Sequence, residues 1–281
     1  MQIGCCKARC EPGVDGHQEL TRRILLALLM PQPAQAYGRP QLQCPGLLHM
    51  GDGEALLETG YHLRNVGMRE LREQCSLQHL ESVDLISVYW GGEAIAHLFV
   101  SFGFGGQDYV AISIETRKER TEDYSSIKGF FKQYELIYVV ADERDVIRLR
   151  TTYRQPPEEV YLYRTRIPPA RARRLFLAYV REINQLVEQP VFYNTLTTNC
   201  TTNILFHVRA SGGIARYNWK ILLSGYTPAY AYEAGGLDTS LSFADLKQRS
   251  HINASAQAAG DTPDFSQRIR AGLPRPSPAS R

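Results

Sequence analysis

"AHLFVSFGFGGQDYVAISIE", residues 96–115, is the stretch whose reading decides the fold. Two runs rich in β-branched and aromatic residues flank a Gly-rich turn, the pattern of a β-hairpin. With the turn centred on Gly106, Leu98 faces Ile114, Val100 faces Ile112 and Phe102 faces Val110, which makes one continuous apolar face. The opposite face then pairs His97 with Glu115, Phe99 with Ser113 and Ser101 with Ala111. Directly opposed residues have Cβ atoms about 4.5–5.5 Å apart, close enough for Glu115 to hold the His97 imidazole. A slip of one residue would destroy both the apolar match and this pair. On the hairpin alone, His97 is equally well read as a rim histidine with an incidental ion pair.

Outward from the hairpin, Ile127–Val140 reads as an amphipathic stretch running into a strand, "LIYVV". "VYLYR" at Val160–Arg164 is a short strand closed by Pro168-Pro169. A helix follows from Ala170, with Leu175, Phe176, Tyr179, Ile183, Leu186 and Val187 at 3.6-residue spacing, and stops before Pro190. No internal repeat or low-complexity segment interrupts this order.

"YNTLTTNCTTNILFHVRASGG", Tyr193–Gly213, places one cysteine among Asn and Thr. Asn199 is a good N-cap, so Cys200 is expected as the first residue of a helix through Ile204, Leu205 and Val208, ended by Ser211-Gly212-Gly213. A thiol there feels the positive end of the helix dipole and nearby backbone amides, which favour the thiolate and can stabilise an oxyanion. A small buried side chain beside a cap satisfies the same pattern. A nucleophile also needs a base. His207 lies on roughly the same face of that helix but about 10 Å along its axis, too far for a hydrogen bond. His17 lies in the leader, His251 near the C-terminal end, and His49, His62 and His79 in segments without a clear pattern, which leaves His97.

Composition bounds the function classes. The chain has 281 residues, 43% hydrophobic and 22% charged, ordinary for a globular protein, and its net charge of +3 does not argue for a nucleic-acid partner. No apolar run is long enough to span a bilayer. Residues 1–45 form a leader in which "RRILLALLMPQPAQA", two arginines before a short apolar core and Ala-Gln-Ala, resembles a secretory signal. Residues 46–262 are expected to form the catalytic domain, and 263–281, rich in Pro, Ser and Arg, a flexible tail. After the signal-like stretch that ends at Ala36, Cys44, Cys75 and Cys200 remain; they match no zinc pattern, so no metal or other cofactor is expected. A Cys44–Cys75 disulfide is compatible with this count.

"VYWGGEAIAHLFVSFGF", "SIETRKE", "GFFKQYELIYVVADERD", "VYLYR" and "FYNTLTTNCTTNI" together resemble the N-terminal periplasmic domain of the bacterial lipoprotein N-acyltransferases called Lnb. The resemblance runs from about Leu80 to about Pro274 and includes "GLDTSLSFADLKQRSHIN"; the first 45 residues fall outside it. That family is similar to the permuted papain-like, NlpC-type thiol enzymes, in which the histidine strand precedes the cysteine helix. The resemblance implies an α+β fold, with a central antiparallel sheet packed against helices. It implies Cys200 as nucleophile and His97 as base, while Glu115 as orienter rests on the hairpin register as well. Asn199 and Tyr193 are expected to line the acyl site. The implied reaction carries a fatty acyl chain from a phospholipid, through a Cys200 thioester, to the amino terminus of a lipoprotein, in the periplasm or at a membrane surface facing it. The same residues would serve a papain-like cysteine peptidase or amidase of the cell envelope, and a non-catalytic binding module is the third reading.

Overall fold

The structure is a computed structural model that describes residues 50–51, 54–55, 77–117, 135–194 and 197–276. The leader, Cys44, Cys75 and the first part of the 127–140 stretch lie outside the described residues. Its centre is a five-stranded antiparallel sheet: β1 (Leu80–Tyr89), β2 (Ala96–Phe104), β3 (Asp108–Arg117), β4 (Glu135–Asp142) and β5 (Glu159–Arg164). The spatial order is β4-β3-β2-β1-β5, so β5 returns across the sheet to pair with β1. Around it lie α1 (Glu143–Arg148), α2 (Pro169–Glu188), α3 (Cys200–Ala210), α4 (Trp219–Leu222), α5 (Thr227–Glu233), α6 (Phe243–Arg249), α7 (Asn253–Ala259) and α8 (Phe265–Arg268). This is an α+β fold.

The β2–β3 hairpin has the register expected from the sequence. Phe99 pairs with Ser113, Val100 with Ile112, Ser101 with Ala111 and Phe102 with Val110. Gly105 and Gly106, at φ 56° and 71°, take the left-handed conformations that close the loop, where a side chain would be strained.

Period-2 alternation gives the sheet two apolar faces, each covered by helices. On one face Leu98, Val100, Phe102, Ile112 and Ile114 meet Leu175, Phe176 and Tyr179 of α2 and Cys200 and Ile204 of α3. On the other, Ile86, Phe99, Ala111 and Leu162 meet Val146 and Ile147 of α1, Ala256 of α7 and Phe265 of α8. α2 starts with Pro169 at its first turn, where the missing N–H costs nothing, and its apolar stripe buries Phe176 between the rings of Phe102 and Phe104 at 5.0 and 5.6 Å.

Residues 263–276 do not form the flexible tail that their composition suggests. Phe265 and Ile269 are fully buried four residues apart, one helical turn. Arg270 donates to Asp84 Oδ2 at 2.8 Å and to both Glu143 oxygens at 2.7 and 2.6 Å. Two apolar anchors and one buried guanidinium hold the segment against the sheet; residues 277–281 lie outside the described part.

Candidate active site

Local sequence sets the end of α3. The Asn199 side chain accepts from the Thr202 amide at 2.8 Å, and the Thr202 hydroxyl accepts from the Asn199 amide at 2.9 Å, a reciprocal capping box. The helix begins at Cys200, whose thiol is free and buried. Its partners are the His97 side chain, the Leu98 backbone amide and the Thr201 hydroxyl, the last at 3.8 Å.

His97 lies near the start of β2, two residues beyond the last registered pair of the hairpin, Phe99 with Ser113. Its Nε2 is 2.7 Å from Ser113 Oγ and 3.0 Å from Glu115 Oε1. The Ser113 hydroxyl donates to Glu115 Oε1 at 2.8 Å, so its lone pair is turned to His97, and Nε2 is the protonated nitrogen. Arg150, in the π-helical turn Leu149–Tyr153 after α1, donates to Glu115 Oε1 and to Glu158 Oε2, each at 3.1 Å.

The charges follow from these contacts. Burial alone would lower His97, but the Glu115 charge and the hydrogen bonds to Cys200 and Glu115 outweigh it and raise the imidazole to about 9. Burial would raise Glu115, yet His97, Arg150 and the Ser113 hydroxyl bring it down to about 2. Burial likewise opposes ionisation of Cys200; the His97 hydrogen bond and charge, with the Leu98 amide and Thr201 hydroxyl, hold the thiol below its ordinary range. A thiol held low next to an imidazole held high favours a thiolate–imidazolium pair. Such a pair can attack an acyl carbonyl and then protonate a leaving group.

The remaining sequence candidates separate. Asn199 is buried and its side chain serves the cap. Tyr193 packs, partly buried, against the same core as Cys200. His207 is fully buried, with Nε2 2.8 Å from the Tyr138 hydroxyl and its ring stacked on Tyr179 at 3.9 Å. Burial lowers it to about 3, so it is neutral core packing. His251 pairs with Glu159 at 2.6 Å, on β5.

Sequence reasoning missed two members of the network. Ser113 had a signal, because it lies two residues from Glu115 and therefore on the same face of β3. Arg150 had none: it reaches Glu115 across 35 residues of sequence.

Among the described residues no group of three His, Cys, Asp or Glu side chains could hold a metal ion, and no helix is long and apolar enough to cross a membrane. No curated protein and no solved structure matches the chain. The family model described as the Lnb N-terminal periplasmic domain matches residues 68–225, a span that contains Cys200, His97, Ser113, Glu115 and Arg150. That span is more than half of the 281 residues, and the chain belongs to the Lnb N-terminal periplasmic domain family.

Proposed function

We propose that this chain is a thiol-dependent acyltransferase that acts in the periplasm on the amino terminus of bacterial lipoproteins. The observation that carries the reading is the pairing of the Cys200 thiol with the His97 imidazole, whose Nε2 is held by Ser113 and Glu115. The order of the parts, a histidine strand before a cysteine helix, supports a permuted papain-like arrangement. Family membership supports the periplasmic setting.

The reaction needs no cofactor. With Nε2 engaged by Ser113 and Glu115, Nδ1 is the ring nitrogen left for the thiol. The Cys200 thiolate attacks the ester carbonyl of a phospholipid, and a C–S bond forms. The ester C–O bond then breaks, and the imidazolium gives its proton to the departing lysophospholipid oxygen. The lipoprotein α-amine attacks the resulting thioester; His97 takes a proton from the nitrogen and Cys200 leaves as the thiolate. Glu115 stabilises the imidazolium at the stage when it is charged. Tyr193 is assigned to the wall of the acyl site, and Asn199 to holding the helix end that presents the thiol.

The test supplies the full chain with phospholipid vesicles and a diacylated lipopeptide bearing a free α-amine. An N-acylated lipopeptide that is absent with Cys200→Ser supports the reading. Cleavage of a peptidoglycan peptide instead would assign the site to a cysteine peptidase or amidase. No product from either substrate, with a Cys200 inert to thiol reagents, would assign it to a binding module.

A further inference from the structure

The segment that contains and follows the cysteine helix carries cations and no acid. Between Glu188 and Glu233 there is no Asp or Glu, while Arg209, Arg216 and Lys220 bring cations. The same segment exposes Ile214 (89%), Tyr217, Trp219 (56%), Leu222 and Leu223. Trp219 and Leu222 stand three residues apart on α4 and share one side of it, exposed Leu223 follows as its C-cap, and Ile221 is buried and anchors the turn. Lys220 lies 5.6 Å from the Trp219 ring centroid and pairs with Glu233, so the patch carries a net charge of two, both positive.

This patch is fixed beside the candidate site. The Ser224 hydroxyl accepts from the Ala96 amide at 3.0 Å, the Gly225 amide donates to Ala94 O at 3.0 Å, and Gly225 O accepts from the Tyr89 hydroxyl at 2.6 Å. The backbones approach so closely that a Cβ at Gly225 would lie 1.9 Å from Glu93 O. Ala96 is the neighbour of His97, and Ile95, on its other side, is half exposed.

We propose that the Arg209–Leu223 segment docks on the surface of a bilayer containing anionic phospholipid and so sets the end of β2 that carries His97 against the membrane. The inference rests on the acyltransferase reading, which requires the site to reach a lipid ester without a spanning helix among the described residues. Trp and Tyr are amphipathic side chains suited to the interfacial region, Leu and Ile insert below it, and Arg and Lys pair with phosphate. The charge decides the partner. A second copy would present the same net positive charge, whereas an anionic headgroup layer complements it.

The experiment is sedimentation of the full chain with phosphatidylglycerol–phosphatidylethanolamine vesicles, compared with phosphatidylcholine vesicles. The chain is expected to sediment with the anionic vesicles and to be released by salt. Arg216→Gln should weaken that binding about fivefold. The triple variant Trp219→Ser, Leu222→Ser, Leu223→Ser should weaken it by at least roughly tenfold with an unchanged circular dichroism spectrum. If the triple variant does not fold, Trp219 fluorescence in a Trp90→Phe chain gives the answer, with a blue shift expected on adding anionic vesicles. Equal binding to both vesicle types, no loss in the folded triple variant, or no shift in Trp219 emission would overturn the proposal. So would a dimer in sedimentation velocity that the triple variant dissociates. Vesicle sedimentation needs no turnover, so sedimentation without acyl transfer refutes the reaction and supports the docking, and transfer without sedimentation does the reverse.

Discussion

Replacing Glu115 with Gln keeps the shape of the side chain and removes its charge, which makes it the most informative change at this site. His97 stands at about 9 against an ordinary 6.5, and the rise is net of two opposing effects, burial and the nearby Arg150 guanidinium. A rise of that size corresponds to about 3 kcal/mol of preference for the imidazolium. The Glu115 side chain is 32% exposed, so solvent screening leaves roughly half of that. In Glu115→Gln, burial and Arg150 act on His97 without their main opponent, and the imidazolium is lost near neutral pH. Cys200 then loses the neighbour that holds its thiol low. A pH series of iodoacetamide labelling should show the Cys200 midpoint rising by about one unit, toward the 8.5 of an ordinary thiol. Adding Arg150→Gln should move it part of the way back, because the cation that opposed the imidazolium is also gone. A midpoint unchanged in Glu115→Gln would refute the assignment of Glu115 as the group that charges His97.

Further outcomes follow from the same contacts. Cys200→Ser and His97→Ala should each abolish acyl transfer with unfolding midpoints near that of the parent, while Glu115→Gln retains residual turnover, which a steady-state transfer assay checks. Transfer should also fall as pH rises through about 9, where His97 loses the proton that the leaving group needs; the stability contribution of its raised value is complete below 6.5 and is lost over the same rise. His207 has the opposite sign. Its folded value of about 3 lies below the unfolded 6.5, so the unfolded chain takes the proton first and stability is lost as pH falls from 6.5. The cost is at most about 1.4 kcal/mol per pH unit, and His207→Gln should flatten that part of a melting-temperature series. Arg270→Ala leaves Asp84 and Glu143 buried without their shared cation and should cost about 3–5 kcal/mol in a urea titration.

The hairpin was legible in the sequence because both of its signals are local. A period-2 apolar pattern and a pair of glycines leave one register that buries Leu98, Val100, Ile112 and Ile114 together. The start of α3 was legible for the same reason, since Asn199 and Thr202 complete the cap within four residues. The pairing of β5 with β1 and the approach of Arg150 to Glu115 join segments far apart in the chain, and neither leaves a periodic mark. Residues 263–276 depart from the tail expected there because composition averages over a window, whereas Phe265, Ile269 and Arg270 act one at a time. Ser113 lay between these cases: its face was readable, but its role depends on distances that only the folded hairpin sets.

The central claim is that Cys200 carries the acyl chain. Its most direct test is the intact mass of the full chain after incubation with phospholipid vesicles and no amine acceptor. The account predicts a mass increase of one fatty acyl group, mapped to Cys200, removed by neutral hydroxylamine and absent in Cys200→Ser. Acyl transfer to a lipopeptide with no such adduct, or an adduct that persists in Cys200→Ser, would contradict it.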